Sequence, residues 1–235
     1  MGKFWAIRYP LLFFVFALTV GGLSLVLLAL PGRLPPLSVG QRLNNQPAGE
    51  VQGTFTVGQT FFSPYPGLYR LDVLLATYNR ANSGQITFNV TAGPKDKTRL
   101  VSISFDASQV ADNRIRSFEF SPLNDSAGKT YLFYFEGPAS RPGNAITAWT
   151  DSANPYQEGM AYWGGQPVES DLTFVAYFRP NVWQVPDVYL DRIAKGKPGI
   201  LGNRAFYVVA FPAYLALTGA VLALLTRKAL GQGQE

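Results

Sequence analysis

The sequence contains no cysteine and no histidine among its 235 residues. Without cysteine, the chain has no disulfide, no thiolate metal site and no cysteine nucleophile. Without histidine, it lacks the commonest general base and the commonest metal ligand, which excludes Ser-His-Asp triads and histidine-bound zinc or haem. An enzyme that works with carboxylates, or a cation site with oxygen ligands, remains open. We expect no cofactor, no metal site and no catalytic residue.

Charged residues are also scarce, at 15% of the chain against roughly 25% in soluble proteins. Residues 36–182 hold 11 basic and 12 acidic side chains, whereas the two flanks hold nine basic and three acidic ones. The net charge of +5 therefore comes from sequence beside the hydrophobic segments. This placement favours a lipid bilayer as partner and argues against nucleic acid.

Two uncharged runs predict transmembrane helices, at residues 11–30 and 205–226. The first lies between Pro10 and Pro31, and at about 1.5 Å per residue it reaches about 30 Å, the thickness of a hydrocarbon core. It is longer than the apolar core of a secretory signal peptide, so we interpret it as a retained anchor.

Small residues form one face of the second predicted span, at the helical spacing i, i+3, i+4 and i+7. They are Ala216, Gly219, Ala220 and Ala223. Such a face permits close packing against the first span or against a helix of another membrane protein. An ordinary alanine-rich span is the alternative interpretation.

Two spans would leave both chain ends on one side of the membrane. Lys3 and Arg8 at one end, with Arg227 and Lys228 at the other, favour cytoplasmic termini at 1–10 and 227–235. Further basic residues lie near the opposite ends of the spans, so the charge bias is incomplete. We predict a two-pass protein whose central domain is extracytoplasmic.

The central region has the two-residue periodicity of β-strands, with turns rich in proline and glycine between the segments. Nine strands are predicted, at 54–62, 68–77, 85–92, 99–105, 115–121, 129–136, 145–150, 158–163 and 171–178. Short strands at this spacing favour an all-β fold. We predict an antiparallel jelly-roll or β-sandwich of about nine strands over 53–182, flanked by the two transmembrane helices.

Two connectors join this domain to the predicted spans. Residues 31–52 are predicted to be an irregular linker. Residues 183–204 contain Pro186 and Asp187, which resemble a helix start with Asp187 as N-cap. With Arg192 and its basic neighbours, this segment suits a short helix at the membrane interface, and a solvated linker is the alternative.

Short motifs carry a family resemblance over residues 53–178. They are Gly58-Gln59-Thr60-Phe61, Leu71-Asp72-Val73-Leu74, Asp125-Ser126, Lys129-Thr130-Tyr131, Gly143-Asn144-Ala145-Ile146, Tyr156 with Gly159, and Asp171-Leu172. The chain resembles a β-sandwich domain on the extracytoplasmic side of bacterial membrane proteins, some of them similar to polytopic glycosyltransferases. The resemblance implies a sandwich fold and a bacterial inner-membrane location, and it implies no site residues.

Aromatic and oxygen-bearing side chains cluster near one predicted loop. They are Trp149, Asp151, Asn154, Tyr156, Glu158 and Trp163. Aromatic faces beside oxygen groups suit a sugar, and the carboxylate and amide oxygens suit calcium. Turns use the same residue types, so a structural loop is the alternative.

Three functions follow from these features. The first is a non-catalytic accessory protein whose extracytoplasmic sandwich docks onto partners in a membrane protein assembly. The alternative is a membrane-tethered carbohydrate-binding module. A weaker alternative is a glycan enzyme, which needs two facing carboxylates that the sequence alone does not select.

Overall fold

The computed structural model describes Gly22 and residues 36–231, which fall into two units. One unit is Pro36–Trp183 and contains the strands. The other comprises Gln184–Glu235 together with the residues before Pro36. The first predicted transmembrane span, 11–30, lies outside the described residues except for Gly22.

Thirteen strands occur in the described residues: β1 Leu37–Gln41, β2 Gln46–Pro47, β3 Val57–Ser63, β4 Leu68–Ala76, β5 Gln85–Thr91, β6 Arg99–Asp106, β7 Arg114–Leu123, β8 Lys129–Glu136, β9 Thr147–Asp151, β10 Ala161–Trp163, β11 Gln166–Val168, β12 Asp171–Leu172 and β13 Phe174–Phe178. A short 3₁₀ turn, Ala107–Gln109, follows β6.

Two antiparallel sheets arise from these strands, which confirms the predicted β-sandwich. The seven-stranded sheet has the order β1-β13-β4-β9-β12, with β2 also pairing β9 and β7 also pairing β4. The six-stranded sheet has the order β11-β10-β3-β8-β5-β6. Neighbours in both sheets are mostly distant in sequence, so long-range contacts hold the domain together.

Strand β8 shows why this sequence forms a two-faced sheet. Its residues alternate between buried Tyr131, Phe133 and Phe135 and half-buried Leu132 and Tyr134. Because successive side chains point to opposite faces, one face joins the core and the other remains accessible.

Aromatic rings fill the centre of the sandwich. Phe133 of β8 is fully buried, and its ring centroid lies 5.5 Å from that of Phe174 and 6.0 Å from that of Phe88. Phe174 belongs to the seven-stranded sheet, whereas Phe88 and Phe133 belong to the six-stranded sheet. These contacts therefore join the two sheets, and each buried phenylalanine contributes about 1.5–3 kcal/mol.

The strand boundaries depart from the prediction mainly at the edges of the sheets. Strand β8 matches the prediction, whereas β1 and β2 lie within the predicted 31–52 linker. Strand β1 carries Gly40 and few apolar residues, so its local pattern is weak. It forms because it pairs residue by residue with β13, from Leu37 opposite Phe178 to Gln41 opposite Phe174.

The connector contains helix α1, Val185–Ala194, which agrees with the predicted short helix but not with its predicted start. Its N-cap is Gln184, without a side-chain cap hydrogen bond, and Asp187 lies in the first turn. The predicted N-cap at Asp187 is therefore wrong. Pro186 explains the shift, because proline is favoured at the first helical positions rather than before them.

Helix α2, Arg204–Gly231, follows and contains the second predicted span. Its window Arg204–Val221 is long and apolar enough to cross a membrane, and only 6% of that window is buried. Arg204 lies 3.8 Å from Asp187 and 3.7 Å from Asp191 of α1, so exposed ion pairs join the two helices.

Candidate functional site

The structure distributes the predicted ligand residues over two sheets and one loop. Trp149 belongs to β9 of the seven-stranded sheet, whereas Trp163 belongs to β10 of the six-stranded sheet. The indole Nε1 of Trp149 donates to Asn113 Oδ1 at 2.7 Å. The indole nitrogen of Trp163 is buried without a hydrogen-bond partner. The two tryptophans therefore do not form one aromatic platform.

Asp151 and Asn154 shape the turn after β9. Asp151 is buried, and its Oδ1 accepts a hydrogen bond from the Ala153 N–H at 2.8 Å. Asn154 has a φ of 51°, a conformation that asparagine tolerates better than most residues. The Asn154 Oδ1 is buried without a partner. These roles are the structural ones that such residues have in turns.

Tyr156 closes one end of the core. Its ring meets the edge of Phe174 with centroids 5.3 Å apart, and its hydroxyl lies 3.3 Å from the Phe62 nitrogen. Burial raises the pKa of Tyr156 to about 12, and the nearby Glu158 carboxylate adds to the rise. Of the predicted site residues, Glu158 is the one carboxylate exposed to solvent.

The part of the chain that the structure describes holds no group of three or more acidic side chains that could bind a metal ion. Asp171 lies opposite Asp151 in the paired strands β12 and β9, but both its carboxylate oxygens accept hydrogen bonds from the protein. The calcium interpretation of this loop therefore has no structural support.

A buried carboxylate beside the loop, Asp171 of β12, links the two sheets. It is fully buried. Gln59 of β3 donates its Nε2 to Asp171 Oδ1 at 2.7 Å, and the Tyr156 N–H donates to Oδ2 at 2.6 Å. In return, Gln59 Oε1 accepts the Leu172 N–H at 2.8 Å. Both carboxylate oxygens of Asp171 are thus occupied by structural hydrogen bonds.

Further hydrogen bonds extend this network along the sheet edge. Gln41 Nε2 donates to the Leu172 carbonyl at 2.6 Å, and the Thr150 hydroxyl donates to the Asp171 carbonyl at 2.9 Å. Ser170 donates to the Asp151 carbonyl at 3.0 Å and pairs with the Thr150 hydroxyl. Residues from β1, β9 and β12 are tied together in this way. The network holds strands in register and leaves Asp171 out of contact with solvent.

Burial raises the pKa of Asp171, and the hydrogen bonds from the Tyr156 N–H and the Gln59 amide partly oppose the rise. The charge on Asp151 adds to it. The folded protein therefore holds the Asp171 proton more tightly than the unfolded chain, in which an aspartate has a pKa of about 3.9.

This difference predicts that stability falls as the pH rises from about 4 through the raised pKa of Asp171. Urea unfolding of the wild type and of Asp171→Asn, from about pH 3.5 to about pH 8, measures it. The wild-type free energy of unfolding minus that of the variant should decline with pH and then level off. The Thr77 N–H is the main cause that lowers the pKa of Asp112. Asp112 is present in both proteins, so its contribution cancels in the difference between their free energies of unfolding.

The chain has no histidine, so no imidazole titrates in this window. A difference between the free energies of unfolding of the wild type and Asp171→Asn that grows as the pH rises would contradict the prediction. It would show that the two N–H donors stabilise the carboxylate by more than burial destabilises it.

Sequence reasoning missed a groove on the outer face of the six-stranded sheet. Its volume is about 350 Å³, and its walls include Tyr134 of β8, Tyr162 of β10, Thr91 of β5, Arg99 of β6 and Lys97 before that strand. The alternation within β8, which placed Tyr134 opposite the core, was the available signal. The sequence contains no signal that the other strands of the groove, which are distant in the chain, lie beside β8.

The comparisons with known proteins add little to this geometry. No family model matches the chain, and no curated protein is significantly similar to it. A ruminal GH26 endo-β-1,4-mannanase structure covers 70% of this chain at 7% identity and a TM-score of 0.27, and the chain spans 30% of that protein. The structure of Desmodium yellow mottle tymovirus covers 65% of this chain and 93% of its own, at 9% identity and a TM-score of 0.26.

At such TM-scores neither structure supports an argument about this chain. The class of protein rests on the described residues themselves. They form a β-sandwich of two antiparallel sheets, and they also include one helix that is long and apolar enough to cross a membrane.

Proposed function

We propose that this protein is a non-catalytic accessory protein of the bacterial inner membrane, whose extracytoplasmic sandwich docks onto partners in a membrane protein assembly. The observation that carries the proposal is the exposure of helix α2. Val209, Leu215 and Leu224 are each more than 60% exposed, along a helix of which little is buried. Such a surface is unfavourable in water and favourable in lipid.

A contact with Gly22 supports a second span beside α2. Gly22 belongs to the predicted span 11–30, and a Cβ at this position would lie 2.8 Å from the Cε1 atom of Tyr214. Tyr214 belongs to α2. Glycine allows such close approach between helices in a membrane. The proposed protein is therefore a two-pass one.

The small-residue face is the proposed surface for a partner helix. Ala216, Gly219 and Ala220 are exposed, and a Cβ at Gly219 would meet no atom within 4 Å among the described residues. An adjacent helix could approach α2 closely along this line.

Neither alternative function gains support from the predicted loop. The carbohydrate-binding module was predicted from Trp149, Trp163 and the adjacent oxygen groups, and the two tryptophans lie in different sheets. A glycan enzyme requires two carboxylates that face a substrate, whereas Asp171 is fully buried and Asp151 is nearly so. The accessory role is therefore the proposal, and the sugar-binding alternative needs another surface.

Cysteine labelling tests the proposed topology, because the native chain offers no competing thiol. Ser117→Cys places one thiol on the exposed outer face of β7, and Gln234→Cys places one in the C-terminal tail. The cells have their outer membrane removed and their inner membrane intact. An impermeant maleimide should label Ser117→Cys in these cells, and it should label Gln234→Cys only after the inner membrane is permeabilised. The reverse pattern would refute the extracytoplasmic domain.

The accessory role is tested on the same full-length chain, extracted with its native lipid and measured by native mass spectrometry. We expect a heteromeric complex. Replacing both Gly219 and Ala220 with leucine should release the partner, whereas leucine in place of exposed Val209 should not. A lone monomer from every preparation would count against the accessory role, even where the topology is as proposed.

A further inference from the structure

Five neighbouring strands bring one row of residues together across the outer face of the six-stranded sheet. The row runs from Tyr162 of β10 through Gly58 of β3, Tyr134 of β8 and Asn89 of β5 to Ser102 of β6. Residues directly opposite one another in paired strands share a face. Two members of the row, Tyr134 and Tyr162, line the groove.

Gly58 leaves a gap between the two tyrosines. A Cβ at Gly58 would lie 2.5 Å from the Phe133 carbonyl oxygen and 2.7 Å from the Cβ of Tyr134, so no side chain fits there. Tyr134 and Tyr162 stand on either side, two strand spacings or about 10 Å apart. Both are half-buried and line the groove, so part of each side chain remains accessible there.

Polar groups line the same face. Arg99 donates its Nε to the Tyr134 hydroxyl at 3.3 Å and pairs with Glu136 at 3.0 Å. Asn89, next to Tyr134 in the row, is fully buried, and its Nδ2 has no hydrogen-bond partner. Asn89 does not line the groove, so of these groups Tyr134 and Arg99 are the ones that a ligand there would meet.

The charges of the groove balance. Asp96, Lys97 and Arg99 line the groove, and Glu136, outside the lining, pairs with Arg99, which leaves Asp96 to balance Lys97. The groove therefore has no excess charge to attract an anion or a cation. Its volume of about 350 Å³ lies within the roughly 300–1,000 Å³ of small-ligand sites.

We propose that this groove binds a neutral oligosaccharide, with sugar rings packed against Tyr134 and Tyr162. The C–H face of a pyranose is apolar and slightly positive, so it complements the negative face of an aromatic ring. The sugar hydroxyls then meet the tyrosine hydroxyls and Arg99. This site is distinct from the loop of Asp151 and does not depend on the membrane helices.

The experiment measures binding of neutral di- to tetrasaccharides built from glucose, mannose or N-acetylglucosamine. The full-length protein is held in lipid nanodiscs, because alkyl glycoside detergents would compete for the site. We expect at least one series to bind, and Tyr134→Ala and Tyr162→Ala each to weaken its affinity at least about tenfold, or about 1.4 kcal/mol. Tyr134→Phe and Tyr162→Phe keep the rings and should change affinity less than about threefold.

Two matched variants locate the site. Tyr177→Ala removes a half-buried tyrosine from the other sheet, and Asp151→Ala alters the predicted loop. Both should keep wild-type affinity within about twofold. Loss of binding in Asp151→Ala with retention in Tyr134→Ala and Tyr162→Ala would overturn the assignment in favour of the loop.

Blocking the groove with a maleimide on an introduced cysteine tests the site without relying on alanine variants, which can lose binding because they fail to fold. Lys97→Cys lies at the exposed rim of the groove, and Ser117→Cys lies on the exposed outer face of the other sheet. A bulky maleimide added to the folded protein should abolish binding in the first and leave it intact in the second.

Three further outcomes would overturn the proposal, and each leaves the accessory role to its own test. The first is no binding of any neutral oligosaccharide by the folded protein. The second is equal binding by the blocked Lys97→Cys and Ser117→Cys proteins. The third is stronger, salt-sensitive binding of an acidic oligosaccharide, which would show that charge selects the ligand.

Discussion

Replacing Phe133 with alanine is expected to lower the free energy of unfolding of the sandwich by about 3–5 kcal/mol. Phe133 is fully buried and contacts the rings of Phe61, Phe88, Phe135 and Phe174, at centroid distances of 5.5 to 6.4 Å. Its removal leaves a cavity where the two sheets meet. Because a domain is stable by only about 5–15 kcal/mol, much of the native population would be lost.

Urea unfolding of the full-length protein in nanodiscs, followed by near-ultraviolet circular dichroism, measures this effect. Tyr134→Ala is the matched control, since it removes an aromatic ring from the next position on the opposite face. We expect it to cost about 1 kcal/mol or less. Equal losses from the two variants would show that the outer face is packed as tightly as the core.

Asp171→Ala should lower the free energy of unfolding by about 2–6 kcal/mol. The substitution leaves the Gln59 amide and the Tyr156 N–H without acceptors, and each buried unsatisfied donor costs about 1–3 kcal/mol. Asp171→Asn keeps one acceptor oxygen and should lose less. The same urea titration, at about pH 7, measures both variants.

Asp125→Ala is the control for the loss of a carboxylate. Asp125 is exposed, and its Oδ2 lies 2.6 Å from the Nζ of Lys129, four residues later in the chain. Exposed pairs of this kind contribute little to stability, so its denaturation midpoint should match that of the wild type. An Asp171→Ala protein as stable as the control would refute the structural role of the network.

The two predictions separate two contributions to the sandwich. Phe133 represents apolar packing between the sheets, and Asp171 represents a polar link between them. The groove residues contribute to neither, so Tyr134 and Tyr162 should affect binding without large effects on folding. This separation makes the sugar-binding proposal testable by mutation.

Local periodicity was enough to predict most of the strands. Alternation predicted β8 correctly at 129–136, and the structure buries its alternate residues Tyr131, Phe133 and Phe135. Apolar length likewise predicted helix α2 and its capacity to span a membrane. These features depend on side chains close together in the chain, so the sequence carries them directly.

The candidate sites were less predictable. Tyr156 and Asp151 were selected for a ligand, and the structure gives them structural contacts instead, with Phe174 and with the Ala153 N–H. Residue type alone does not separate a binding carboxylate from a turn-forming one. The difference lies in burial and in the partners that the fold supplies.

The sequence by itself determined the alternating strands, the neutral central domain and the apolar helix, because each follows from the order of neighbouring residues. Only the tertiary structure decided the pairing of β1 with β13, the contact of Gln59 with Asp171 across 112 positions, and the row that joins Tyr162, Gly58 and Tyr134. These depend on hydrogen bonds between strands far apart in the chain. No local pattern specifies such partners, since any edge strand offers the same backbone groups.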